Sequence, residues 1–259
     1  YSYLGVLESL SGMAVDVSFI SFDDVIHFDI LDKFDVVINA GDAGTAFSGG
    51  EIWRNETLVA KIREWVYNGG GFIGIGEPSA YEHGGRFFQL AQVLGVDKEL
   101  GFSLSTDKYF TEEKEQHFIT EDVKKNSENR KEIFFGESMK NIYALYENTE
   151  ILEFSNGEIH LSSHDFGKGR GIYIAGLPYS DENTRLLWRA LHYAAHKENE
   201  FNKWNCTNVH CEVHVYPEKN KIAYINNSTE EQVTEVYDER GTSKTIKLNP
   251  GEIIWEELQ

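Results

Sequence analysis

The run Gly71-Phe72-Ile73-Gly74-Ile75-Gly76-Glu77-Pro78-Ser79 sets an acidic side chain just behind an apolar burst. In many α/β enzymes the reactive side chain stands at such a point, on the sharp bend between a strand and a helix. A nucleophile there needs Cys or Ser, a histidine base, and a backbone N–H to receive the oxyanion. Glu77 is followed by Pro78, which has no N–H to give. Ser79 and His83 follow closely, but nothing in their spacing makes them meet. Glu77, Ser79, Tyr81, His83 and Arg86, with Asp42 from an earlier turn, are therefore read as a polar rim against a neighbouring domain or a sugar. They are not read as a catalytic set.

Other groupings carry less chemistry. Gly69-Gly70-Gly71, Gly74 and Gly76 flank a strand, whereas a dinucleotide loop opens the helix that follows one. Glu77 at that helix start would also repel phosphate. Phe166-Gly167-Lys168-Gly169-Arg170 has the look of half a phosphate loop but joins two strands, so it reads as a hairpin turn. Ser163-His164-Asp165 is contiguous, and triad members meet through the fold rather than as neighbours. Cys206, His210, Cys211 and His214 invite a zinc reading. On a strand, His210, Glu212 and His214 share one face, but the two histidines lie about 13 Å apart, too far for one ion. No metal and no cofactor is expected.

The elements that must hold these residues are legible from periodicity. Residues 1–13 space apolar groups as one helical face, and residues 15–20 read as a strand. Residues 34–40, ending at Gly41, read as a parallel strand buried on both faces. Residues 55–68 form an amphipathic helix closed by Gly69. A buried strand follows over 71–75, then a helix over 86–94 stopped by Gly95. Residues 107–132 are crowded with charge and read as an exposed loop. Four strands follow at 142–145, 150–154, 159–163 and 171–175, then a strong helix over 182–196. Alternating strands and helices imply an α/β fold with a doubly wound parallel sheet over residues 1–200. From residue 208 the alternation is strictly of strand type, which predicts a small all-β domain over 201–259.

Composition sets outer limits. The chain has 259 residues, 41% hydrophobic and 13% aromatic, enough for a real core. It carries 24 basic against 43 acidic residues, a formal charge of −19, which opposes nucleic acid and anionic lipid as partners. No apolar run approaches the roughly 20 residues of a membrane helix. Two cysteines fit reduced thiols in a cytoplasmic protein. The chain opens on Tyr1 rather than Met, which gives it the look of a portion of something longer.

Several stretches resemble one family. YSYLGVLESLSGMAVDVSFISFDDV, DVVINAGDAGTAFSGGEIW, GEPSAYEHGGRFFQLAQVLGVD and GIYIAGLP are similar to the galacto-N-biose/lacto-N-biose phosphorylases, which are inverting glycoside phosphorylases. The resemblance covers nearly the whole chain and is most specific in the GEPSAYEHGGRFF stretch. It implies a catalytic N-terminal (β/α)₈ barrel on the same polypeptide, a middle α/β domain like the glutamine amidotransferases, and a small all-β domain. The chain is too short to contain that barrel as well, so it resembles the middle plus C-terminal portion, with the first strand of the middle domain lying before Tyr1. The implied reaction is attack of phosphate on a β-galactosyl-N-acetylhexosamine disaccharide, giving galactose 1-phosphate and N-acetylhexosamine. The segment itself is expected to be non-catalytic, bracing the barrel, shaping one wall of its cleft or contributing to a homodimer.

Two other readings compete. Residues 69–75 also resemble the trehalose-utilisation (ThuA-like) family, although Gly76-Glu77 stands where a histidine commonly follows the strand there. A pocket over Glu77 lined by His83, His164 and Asp42 would favour a free-standing sugar-processing or sugar-binding domain. A broad apolar patch without a cleft would favour an interaction module.

Overall fold

A computed structural model describes residues 2–101, 112–124, 133–137 and 139–258. In chain order it contains α1 (Ser2–Ser11), α2 (Phe22–His27), β1 (Val36–Gly41), α3 (Glu56–Tyr67) and β2 (Gly71–Gly76). The hairpin β3 (Ala80–His83) and β4 (Arg86–Phe88) precedes α4 (Ala91–Leu94), β5 (Val96–Lys98), α5 (Glu121–Lys124) and β6 (Ile142–Ala144). The sheet then resumes with β7 (Glu150–Ser155), β8 (Glu158–Phe166) and β9 (Gly169–Ile174), backed by α6 (Asp181–Ala194). Five further strands complete the chain: β10 (Cys211–Tyr216), β11 (Lys221–Asn226), β12 (Gln232–Tyr237), β13 (Ser243–Leu248) and β14 (Ile253–Glu257).

The main sheet runs β1-β2-β9-β8-β7. Only β1, β2 and β9 are parallel; β8 and β7 are added antiparallel, so the sheet is mixed rather than wholly parallel as expected. The reason is the Phe166–Arg170 turn. It closes a tight hairpin in which Phe166 pairs with Gly169, and so reverses the chain where a crossover helix would have kept it parallel.

Helices cover both faces. Gly71, Ile73 and Ile75 alternate toward α6, and a Cβ on Gly71 would lie 2.5 Å from the Ala194 carbonyl oxygen. Phe72, Gly74 and Tyr173 face the other way, toward α4, where a Cβ on Gly171 would collide with the Val93 carbonyl. α3 lies on the α4 side, its Val66 carbonyl against Gly169, while α1 packs on α6 and β1. α3 forms where expected because Asn55 Oδ1 caps the amides of Thr57 and Leu58, and Leu58, Ile62, Trp65 and Val66 all turn inward. α6 is capped by Ser180 and buries Leu186, Leu187, Ala190 and Ala194.

Three expectations need correction. Residues 15–20 form no strand: they pair with no described strand, and residues 14–19 are all exposed. The helix expected over 86–94 shrinks to α4. Gly84 and Gly85, at φ +60° and +76°, form a two-residue turn that pairs His83 with Arg86, and the buried Asp97 carboxylate takes the Phe87 and Phe88 amides. The expectation of an exposed loop over 107–132 lies partly outside the described residues. Within it, Ile119, Thr120 and Val123 are buried, held to α6 by Arg189 through Asp122 (2.5 Å) and the Phe118 carbonyl (3.0 Å).

The last five strands form a three-stranded sheet β10-β11-β14 and the pair β12-β13 around a second, smaller core of Cys206, Cys211, Val213, Ile222, Tyr224, Val236 and Leu248. No helix among the described residues is long and apolar enough to cross a membrane.

Because Gly171 meets backbone rather than a yielding side chain, Gly171→Ala is expected to lower the unfolding free energy by about 1–3 kcal/mol. Denaturant titration checks this; an unchanged midpoint would refute the close packing of α4 on β9.

Candidate functional site

The rim residues gather where ligands commonly meet α/β sheets, at the carboxyl ends of the parallel strands. β2 ends at Gly76, whose φ of +80° turns the chain out of the sheet; a Cβ there would press on the Gly41 carbonyl at 3.0 Å. Glu77 then bends back over the end of β1. Its amide donates to Gly41 O (2.9 Å), its Oε2 accepts the Ala43 amide (2.7 Å), and its Oε1 faces Lys98 Nζ at 3.6 Å. Both carboxylate oxygens are therefore engaged. Glu77 ties the loop after β1 to the bend after β2.

Ser79 lies deeper. It is fully buried with φ +51°; its amide donates to Asn39 Oδ1 (2.8 Å) and its Oγ accepts the Leu90 amide (3.1 Å). Asn39, itself buried on β1, donates to the Phe47 and Ser48 carbonyls, both at 3.3 Å. Asn39 thus binds both loops at this sheet end, and the sequence reading missed it. The available signal was a lone polar side chain inside Val36-Val37-Ile38-Asn39-Ala40. Asp97 was missed as well. Its buried carboxylate accepts the amides of Phe87, Phe88 and Lys98 and faces Arg86 Nη1 at 3.5 Å; burial is the larger influence and pushes its pKa up.

The exposed remainder of the rim is smaller than predicted. Arg86 is anchored by Asp97 with its side chain 40% exposed. Tyr81 is half-buried, while His83 at the hairpin tip and Asp42 in the β1 loop are exposed. The Asp42 carbonyl accepts the Thr45 and Ser48 hydroxyls, which closes that loop.

His164 is not part of this group. It pairs in register with Gly171 near the amino end of β9, at the other end of the sheet, and stacks on Tyr146 with ring centroids 5.0 Å apart. Burial lowers its pKa. A pocket over Glu77 lined by His164 is thus not formed. Two cavities lie elsewhere. One of about 40 Å³ sits between α6 and the β-strand unit, bordered by Met13, Arg185, Trp188, Cys206 and Glu212. The other, about 260 Å³, lies beside Lys114, Asn148, Glu150, Ser163 and Asp165. Its polar groups hold one another: Glu150 bonds Lys114, faces His117 Nε2 at 3.4 Å and accepts from Ser163 Oγ at 3.3 Å. His117 and then Lys114 outweigh burial and hold the Glu150 carboxyl at about 2.

The histidines of the last unit are engaged separately, His210 Nδ1 with Asp181 (2.5 Å) and His214 Nε2 with Glu212 (2.7 Å). Among the described residues no three His, Cys, Asp or Glu side chains converge as a metal ion would require. Burial pushes the Cys206 and Cys211 thiols up to about 11 and 12, so both stay protonated near neutral pH and are poor nucleophiles.

The chain is a mixed α/β layer joined to a small β-strand unit, with a braced sheet end. In fold, 98% of the chain follows 36% of a β-galactosidase from Rahnella sp. R3, with a TM-score of 0.54 at 16% identity. The chain belongs to the lacto-N-biose phosphorylase family: residues 1–199 match its central domain and residues 204–256 its C-terminal domain. It is 50% identical over 256 residues to a 1,3-beta-galactosyl-N-acetylhexosamine phosphorylase of Lachnoclostridium phytofermentans, and 44% identical over 283 residues to one of Bifidobacterium longum subsp. longum. These alignments take in 98% and 99% of the chain but 34% and 38% of the relatives, so the chain spans about a third of their length.

Two outcomes follow from these contacts. Glu77→Ala is expected to cost about 2 kcal/mol, the scale of a hydrogen bond to a charged group, and Glu77→Gln, which retains an acceptor, less. Equal denaturation midpoints for all three proteins would show that the bracket is not structural. Glu150 binds its proton less tightly in the folded state, so its stabilising contribution is complete above about pH 4.5 and lost as the pH falls toward about 2. Glu150→Gln is therefore expected to flatten the fall of stability with acid across that window, measured by unfolding at stepped pH.

Proposed function

We propose that this chain is the non-catalytic middle and C-terminal portion of an inverting β-galactoside phosphorylase. The intact enzyme would convert galacto-N-biose or lacto-N-biose and phosphate to galactose 1-phosphate and N-acetylhexosamine. The observation that carries this is the bend after Ile75, where both Glu77 oxygens are occupied and Pro78 offers no amide donor. Inversion by phosphate needs one carboxylic acid for the leaving oxygen and cations for the phosphate. A chain of formal charge −19 is a poor source of the latter.

The chemistry would then sit in an N-terminal (β/α)₈ barrel of the same cytoplasmic polypeptide, acting without a cofactor. The α/β unit, amidotransferase-like in descent, would brace that barrel. Tyr81, His83, Arg86 and Asp42 would border the cleft or the barrel contact, with Glu77 and Ser79 as the frame behind them; a homodimer contact is a further role for the same unit. The β3–β4 hairpin supports this reading, because Asp97 fixes Arg86 from behind and leaves its outer side exposed.

The test is phosphorolysis of lacto-N-biose by the longer enzyme and by residues 1–259 alone. Turnover is expected only in the longer enzyme, and turnover by the segment would overturn the proposal. In the same assay His83→Ala in the longer enzyme is expected to raise KM severalfold at unchanged thermal stability, and an unchanged KM would remove His83 from the cleft.

A further inference from the structure

The outward face of the β10-β11-β14 sheet departs from the polar character that such a face normally has. Register places Glu212, Ile225 and Ile253 in one row across the three strands, His214, Ala223 and Trp255 in the next, and Tyr216, Lys221 and Glu257 in the last. The opposite face supplies Val213, Ile222 and Tyr224 to the second core. With one face on a core, the other face of an antiparallel sheet usually meets water and is polar. Here Tyr216 is 42% exposed, Ile253 50% and Trp255 54%. Large apolar groups left bare together mark a contact with another molecule.

The two rings limit what that molecule is. They reach toward each other across the middle strand, centroids 5.5 Å apart and planes tilted by 39°. Ala223 of that strand is buried, so the rings lie close over the sheet while about half of each stays open. An aromatic face is electron-rich and attracts the weakly positive hydrogens of C–H groups. The charged neighbours are already matched. Lys221 faces Glu257 at 3.9 Å, and Glu212 holds His214 at 2.7 Å and also Asn227. Neither an anion nor a cation finds an unmatched partner in these rows.

Size points the same way. Two half-open rings and Ile253 offer on the order of 300 Å² of apolar surface, against the roughly 800 Å² that each partner gives to a stable protein interface. Lys221 and Glu257, both open to water at the rim, can donate to and accept from hydroxyl groups. The fitting ligand is therefore small and neutral, with an apolar C–H side and a hydroxyl edge. A hexopyranose ring has that build.

We propose that Tyr216 and Trp255 form a binding platform for a neutral hexopyranoside, whose hydroxyls Lys221 and Glu257 engage. A β-galactoside suits it best, because three neighbouring C–H bonds of galactose share one side of the ring. The platform stands on this face alone and does not depend on the reaction proposed above.

Titration of residues 1–259 with methyl β-galactoside, followed by amide NMR, tests it. Shifts are expected around Tyr216, Lys221, Ala223 and Trp255, the indole N–H of Trp255 included. They are expected to saturate with a Kd of about 1 mM, the weak binding usual for a ligand of this size. Trp255→Ala is expected to weaken binding at least about tenfold while the spectrum keeps its folded dispersion, and Trp255→Phe, which keeps a ring, to weaken it less. No shift well above that concentration, or equal binding by Trp255→Ala, would overturn the platform. So would self-association that grows with protein concentration and is abolished by Trp255→Ala, because a second copy would then be the occupant. A response seen in residues 1–259 and absent from the longer enzyme would give the face to the rest of the polypeptide and overturn the platform as well.

Discussion

Two polar side chains, buried Asn39 and half-buried Glu77, hold the carboxyl end of the sheet together. Asn39 bonds backward to the loop at Phe47–Ser48 and forward to the bend at Ser79. Glu77 grips Ala43 from the other strand. The loops after β1 and β2 are thereby fastened to one another rather than left to open around a ligand. A buried polar group is costly unless satisfied, and here the amide of Asn39 and the hydroxyl of Ser79 satisfy backbone groups that would otherwise be stranded by the turns. The polar atoms at this sheet end are spent on rigidity.

How much of this could be read from residues alone varies with the length scale of the cause. α3 and α6 were legible because their caps and apolar faces are local, Asn55 and Ser180 standing just before each periodic run. β2 was legible as a continuous apolar run. The strand that Arg86–Phe88 contributes was not, because the deciding contact is the carboxylate of Asp97, beyond the next helix. Gly84-Gly85 carried the hairpin signal but was outweighed by the apolar spacing that follows it. The turn at Gly167–Lys168 was legible as a hairpin joining two strands, but the alternation of strands and helices was still read as one parallel sheet. Of the rim, Glu77, Ser79, Tyr81, His83 and Arg86 do come from one neighbourhood. Asn39 and Lys98, which fix Glu77 and Ser79, come from other strands and had no spacing to announce them.

α6 belongs to both parts of the chain. Its inner face packs on β2 and β9, while Arg185 donates to the Cys206 carbonyl at 2.7 Å and Asp181, in its first turn, meets His210. Arg185 is almost wholly buried, as is Arg189 one turn on, which draws in the segment around Phe118 and Asp122. Cationic side chains thus serve as rivets inside a strongly acidic chain, each matched to a carbonyl or a carboxylate.

That sharing has a consequence for dissecting the molecule. Cutting the chain after α6 would take the Cys206 carbonyl from the Arg185 guanidinium, leaving it Asp122 at 3.9 Å, and strip one wall from the small cavity at the joint. A truncated α/β unit would then carry a buried guanidinium with one hydrogen bond fewer along its main supporting helix, and the excised β unit would lose the helix against which its first residues rest. The two parts are distinct in core and in topology, yet they are mechanically a single piece.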